Sequence, residues 1–195
     1  MKYTELRQLN KRLFFKAEDL ADILGLRKSS SKVTCSRYVK KGIIMRLKKG
    51  YYILRERWDN LKREEFLILA NFLQVPSYIS FMTALSFYEI TTQVQRGFFE
   101  SACLKRSRAF KIEDTLFSFY KIKREYYFEF DKINDIFIAS KEKAFIDSIY
   151  LYSFGKYKVD LISLDLNKLD KEKITEISYT YPQKTRKIVK NLCKI

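Results

Sequence analysis

Residues 42–54 read GIIMRLKKGYYIL. Two apolar runs flank Lys48, Lys49 and Gly50, the pattern of a two-stranded ribbon with strands over residues 43–47 and 51–54 and a Lys-Lys-Gly turn at its tip. Positive charge gathered at the end of a ribbon is either left to water or aimed at something negative. The residues upstream decide between these.

Three helix-like segments precede the ribbon. Residues 5–13 form the first, and residues 17–24, within FFKAEDLADILGL, form the second; Leu20, Ile23 and Leu24 make one apolar stripe and Gly25 supplies the stop. The third begins in Ser29, Ser30 and Ser31, whose hydroxyls suit an N-cap, and runs to Lys41 before Gly42 ends it. Helix, glycine turn and helix give the helix-turn-helix order, and the ribbon follows as a wing. At about 100° per residue, with Val33 at zero, Cys35, Tyr38 and Val39 fall within roughly 60° of the opposite side, while Ser36, Arg37 and Lys40 fall within roughly 60° of Val33. One face is core and the other is cationic and hydroxylated, as a helix entering a major groove requires. Val33 in its middle has two readings: contact with a thymine methyl, or packing on the preceding turn. The candidate DNA-contacting residues are Ser29, Ser30, Lys32, Val33, Ser36, Arg37, Lys40 and Lys41 on the helix, and Arg46, Lys48, Lys49 and Tyr51 on the wing.

Composition agrees. Lys and Arg outnumber Asp and Glu by 39 to 23 over 195 residues, a net charge of +16, so nucleic acid is the first partner to consider and an anionic membrane the second. No apolar run reaches the roughly 18 to 20 residues of a membrane span, and the N-terminus, MKYTELRQLNKRLFF, has charges where a signal peptide needs an apolar stretch. Cys35, Cys103 and Cys193 are widely spaced and read as buried, reduced thiols of a cytoplasmic protein. With no histidine, no Gly-rich phosphate loop and five glycines in all, His-dependent catalysis and the common zinc sites are excluded; no cofactor and no metal are expected. Residues 1–57 hold 16 Lys and Arg against 5 Asp and Glu, and residues 58–195 hold 23 against 18. A DNA-binding domain over 1–57 and a second domain over 58–195, with a helix at 61–73 as connector, follow from that shift.

In the second domain PSYISFMTALSFYEI predicts a short helix at 81–89, and β-like segments follow at 98–104, 109–112, 116–122, 126–130 and 136–139, an antiparallel sheet. Ser140 is a cap for KEKAFIDSIYLYSF; the chain from Asp160 reads as helical, with Asp170 as a cap and Pro182 as a break. Strands followed by helices make the class α+β. The aromatic strands read as sheet core rather than a base-stacking surface, and Lys105-Arg106-Ser107-Arg108 as either a hairpin tip or a second nucleic-acid contact.

FFKAEDLADILGL, SRYVKKGIIMRLKKGYYIL, PSYISFMTALSFYEI and IASKEKAFIDSIYLY together resemble the successive signatures of the AbiEi family, the antitoxins and transcriptional regulators of type IV toxin-antitoxin (phage abortive infection) systems. The resemblance spans nearly the whole chain. It implies a winged helix that binds inverted repeats in its own promoter and represses the operon. It also implies a C-terminal domain that opposes a nucleotidyltransferase-like toxin without a stable complex. The family has no catalytic residues to carry over, and its DNA contacts map onto residues 29–41 and 46–51 only as elements. The rival is a metal-dependent nuclease built on Asp131, Asp135, Glu142, Lys143 and Asp147. Glu142 and Lys143 are adjacent on a helix and Asp147 lies about 140° from Glu142, so a solvated helix start is the expected reading.

Overall fold

The computed structural model describes residues 3–93 and 95–195. Two compact units are distinguished, Met1–Glu65 and Phe66–Ile195. The charge balance changes after Arg57, whereas the division in packing comes after Glu65, whose carboxylate pairs with Arg57 and accepts from the Lys62 backbone N–H at 3.0 Å.

In the first unit α1 (Tyr3–Leu6) passes directly into a 3-10 turn, Arg7–Lys11. One helix over 5–13 was the expectation. The tighter turn instead eclipses positions three apart and keeps Leu6 and Leu9 together in the core. A two-residue strand that the sequence reading did not anticipate, β1 (Phe15–Lys16), follows and precedes α2 (Ala17–Leu24). Asp19 accepts from the Lys16 backbone N–H at 2.7 Å and so satisfies an orphan donor at the start of α2. Gly25 ends α2 at φ 63°, and the Leu26 N–H reaches back to the Ala21 carbonyl at 2.9 Å. Gly42 (φ 67°) ends α3 (Lys28–Lys40) in the same way, with Ile43 N–H on the Tyr38 carbonyl at 3.0 Å. A Cβ at either left-handed position would cost about 1 kcal/mol or more.

α3 begins one residue before the serine run, at Lys28, with Arg27 as its N-cap and no side-chain cap bond. The expected serine cap is therefore corrected: Ser31 is buried and its hydroxyl donates to the Lys28 carbonyl at 2.7 Å, a bond within the first turn. β2 (Ile44–Lys48) and β3 (Tyr51–Leu54) form the hairpin, and β1 pairs the other edge of β3, giving the order β1-β3-β2. Arg46 faces Tyr52 and Lys48 faces Tyr51, so Leu47 is the extra residue of a bulge and the tip contracts to Lys49 and Gly50. Leu6, Leu9, Phe15, Leu20, Leu24, Cys35, Ile44, Tyr52 and Leu54 make the core of this unit. The short helix α4 (Arg55–Asp59) follows, then α5 (Arg63–Leu73).

The second unit is α+β. Its strands are β4 (Ser77–Ile79), β5 (Phe98–Cys103), β6 (Arg108–Ile112), β7 (Thr115–Lys121), β8 (Phe130–Ile133) and β9 (Ile136–Ala139), in the sheet order β6-β7-β5-β4-β9-β8. The expected all-antiparallel sheet is corrected to a mixed one, because β5 runs parallel to β7 and β4 parallel to β9. β7 alternates buried Phe117 and Phe119 and takes an interior position. β6, with its basic residues, and β8, with Asp131 and Lys132 exposed, take the edges, where charge discourages further pairing. The strand expected at 126–130 is absent: Arg124–Tyr126 is a 3-10 turn and pairing begins at Phe130. Those aromatics pack as rings instead, Tyr126 on Tyr181 at 4.4 Å and Phe130 on Tyr78 at 4.5 Å. α6 (Phe81–Phe87), α7 (Lys141–Ser153), α8 (Lys171–Tyr179) and α9 (Gln183–Cys193) complete the unit. Ser140 and Asp170 cap α7 and α8 as expected, and Pro182 stands at the start of α9. Phe99 stacks on both Phe66 and Phe117, and Phe99 and Phe117 are buried, so these strand aromatics are core; all three cysteines are free and buried.

Candidate nucleic-acid interface

α3 is about 20 Å long at 1.5 Å per residue. It buries Ser31, Thr34 and Cys35 and half-buries Tyr38, which leaves Ser29, Ser30, Lys32, Val33, Ser36, Arg37 and Lys40 exposed, with Lys41 exposed just beyond its end. The split follows the helical period, although Val39, assigned to the core side, stands at the margin of exposure. Val33 is 62% exposed, so it does not pack on the preceding turn. An isopropyl group therefore stands in water at the centre of a face otherwise made of ammonium, guanidinium and hydroxyl groups.

The hairpin places its cations beside an aromatic ring. Lys48 Nζ lies 5.3 Å and Lys16 Nζ 5.7 Å from the centre of the half-buried Tyr51 ring, and Phe14 meets the same ring edge-on at 6.0 Å. Tyr51 thus props two lysine stems and keeps their charges at the surface. Arg46 and Lys49 are exposed, and Arg46 lies on the strand face that carries Tyr52. Burial raises the Tyr52 phenol pKa while Arg46 opposes that rise.

Sign segregation is the strongest electrostatic feature of this unit. Between Asp22 and Glu56 there is no acidic residue, and the same interval holds ten Lys and Arg: 27, 28, 32, 37, 40, 41, 46, 48, 49 and 55. Among the described residues Lys32, Arg37, Lys40, Lys41, Arg46 and Lys49 enter no ion pair, whereas Arg12, Arg55 and Arg57, off this face, are paired with Asp19, Asp59 and Glu65. A face of uncompensated cations pays self-repulsion in the free protein and gains it back on meeting a polyanion.

The carboxylates of the rival nuclease reading are distributed otherwise than expected. Asp131 and Asp135 are exposed on the β8–β9 hairpin, Asp135 paired with Lys132 at 2.7 Å. The solvated helix start is corrected, because Glu142, Lys143 and Asp147 are all buried. Glu142 accepts the Asp170 backbone N–H at 3.0 Å. Lys143 Nζ donates to Asp147 and, at 2.7 Å, to the Tyr78 hydroxyl; Asp147 also accepts from Tyr78 (2.9 Å), Ser80 (2.8 Å) and Tyr181 (2.7 Å). The rings of Tyr78, Phe128 and Tyr181 surround the ammonium at 5.2 to 5.5 Å. Burial lowers the Lys143 pKa against the pull of Asp147 and raises both phenols, which remain donors. Among the described residues no three Asp, Glu or Cys come together as metal ligands. The helix AFIDSIYL is apolar on every side, and that all-round pattern was the signal that its charges are interior.

Lys105-Arg106-Ser107-Arg108 is not a hairpin tip. It carries the chain across the end of β7 to the sheet edge, fixed by Gln74 Nε2 on the Arg106 carbonyl (3.1 Å) and by the Lys121 N–H on Ser107 Oγ (2.8 Å), while the Arg108 guanidinium stacks on Phe110 at 3.8 Å. Among the described residues no helix is long and apolar enough to cross a membrane. Comparison of the chain with known protein families, with curated proteins and with solved structures finds no match.

Proposed function

We propose that the first unit is a winged helix-turn-helix domain that binds double-stranded DNA, with α3 in the major groove and the β2–β3 hairpin on the phosphate backbone. What carries this reading is the exposed basic face of α3, followed by a basic hairpin within a stretch that has no carboxylate between Asp22 and Glu56. The element order α2, glycine turn, α3, hairpin is the order such domains use. In this reading Arg37, Lys40 and Ser36 meet base edges, Val33 meets a thymine methyl, and Arg46, Lys48 and Lys49 follow phosphates.

On the resemblance to AbiEi regulators, the protein represses its own operon from inverted repeats and acts as the antitoxin of a type IV system. It would then oppose a nucleotidyltransferase-like toxin in the cytoplasm without holding it in a stable complex. Gel shifts with the native upstream region test the first part: preference over scrambled duplex is expected, and equal binding ends it. Co-expression with the neighbouring gene tests the second; a neighbour that is harmless, or equally toxic with and without this protein, ends that part. Nuclease assays in Mg²⁺ and Mn²⁺ against an EDTA control address the rival. The burial of Lys143 and Asp147 among satisfied partners gives the rival no support.

A further inference from the structure

The second unit buries a further carboxylate besides Glu142 and Asp147, and its surroundings differ from those of Asp147 in one respect. Glu100, on β5, is 1% exposed; its Oε2 accepts the Tyr157 hydroxyl at 2.9 Å, and the Gln95 amide, the Met82 backbone N–H and the Tyr120 hydroxyl are its other polar neighbours. Gln95 is oriented by Thr83, which donates to its Oε1 at 2.8 Å and accepts the Glu100 backbone N–H at 2.9 Å. Both carboxylates thus rest among tyrosines. At Asp147 the chain's own Lys143 supplies the cation inside an aromatic cage; at Glu100 no Lys or Arg among the described residues pairs with the carboxyl. Glu100 instead lines a cleft of about 680 Å³, within the range of small-ligand sites, together with Phe98, Tyr120 and Tyr157.

We propose that this cleft binds a small organic cation, an ammonium or guanidinium group paired with Glu100 against the Tyr120, Tyr157 and Phe98 rings. The chemistry is that of the Lys143–Asp147 pair with the cation supplied from solution. A carboxylate with only neutral donors costs free energy to bury, and a desolvated cation over aromatic faces offsets that cost. Burial pushes the Glu100 carboxyl up to about 7 despite the bonds from Tyr157, Gln95, the Met82 backbone and Tyr120, and no cation among the described residues pairs with it. The other charged groups around the cleft are exposed Lys156, Lys158 and Asp160, the last held by Gln93 Nε2 at 2.6 Å. A ligand bearing an anionic group as well would meet the two lysines. The proposal stands apart from the DNA-binding reading.

The test is titration of the full chain with butylamine and with agmatine, n-butanol serving as the neutral control, followed by ¹H–¹⁵N spectra. Shifts confined to residues 95–100, 120 and 155–160 are expected for the amines and not for the alcohol, with affinity rising about tenfold or more from pH 5.5 to pH 8 as Glu100 ionises. Glu100→Gln should abolish the shifts. Tyr157→Phe, which keeps the carboxyl and guards against a misfolded first variant, should weaken binding a few-fold and move its pH dependence to higher pH, because the lost hydroxyl donor favoured the ionised carboxyl. Absence of shifts at both pH values, equal binding by Glu100→Gln, or equal binding of butanol overturns the proposal and leaves a structural polar network.

Discussion

Single side chains on α3 have separable jobs in the DNA-binding reading. Arg37→Ala should cost about 1–3 kcal/mol on the native operator and much less on scrambled DNA, as measured by competition gel shift. Val33 makes a sharper case, since it is 62% exposed and presents an apolar surface to water. Replacing thymine by deoxyuridine at one operator position should weaken the native protein several-fold and leave Val33→Ser unaffected. In the second unit Asp147 accepts four donors and Lys143 supplies one of them. Lys143→Met leaves Asp147 with three hydroxyl donors and should cost about 3 kcal/mol. Asp147→Leu strands an ammonium and three hydroxyls and should cost about 5 kcal/mol or more, with urea unfolding as the measurement. Equal costs would mean that the pair, not the network, carries the stability.

The hairpin acts as an element. Its bulge lies at Leu47 and the Tyr51 ring lies beside Lys48; in the DNA-binding reading the tip cations would reach phosphate and read no base. The variant with Lys48→Ala and Lys49→Ala should therefore weaken binding to every duplex alike, and the slope of log affinity against log salt should fall by about 2. Discrimination between sites should be unchanged. If discrimination falls with affinity, the tip reads sequence. The ends of α2 and α3 and the hairpin turn were legible because Gly25, Gly42 and Gly50 punctuate them; the first helix and the start of α3 were not, having no such stop, and β1 was not, because two residues have no period. In the second unit the sheet order escaped the sequence for a physical reason: pairing is chosen by which strand needs burial, not by chain proximity, so β7 came between β5 and β6.

At the scale of the molecule, charge and pH dependence fall in different units. Glu100 is the group whose titration matters near neutrality. Its folded-state pKa, about 7, lies above the ordinary carboxylate value, so between that value and 7 the unfolded chain has released the proton while the folded chain keeps it. Stability should fall as pH rises through this interval and level off above 7, by an amount on the order of 3 kcal/mol. Glu100→Gln should remove that slope, so that the variant gains on the native protein from pH 5 to pH 8 in unfolding experiments. A saturating amine should reverse the loss if the cleft binds cations.

Helical period, glycine stops and charge balance fixed, from residues alone, a basic helix and ribbon near the N-terminus and an aromatic α+β unit after it, because those signals are local. Apart from the all-round apolar pattern of residues 144–151, the interior fate of Glu100, Glu142, Lys143 and Asp147 was decided by tertiary structure. A charged residue reads as surface until the partners that make its burial tolerable are brought to it: Tyr78 and Tyr181, 65 and 38 residues from Lys143, and Tyr157, 57 residues from Glu100.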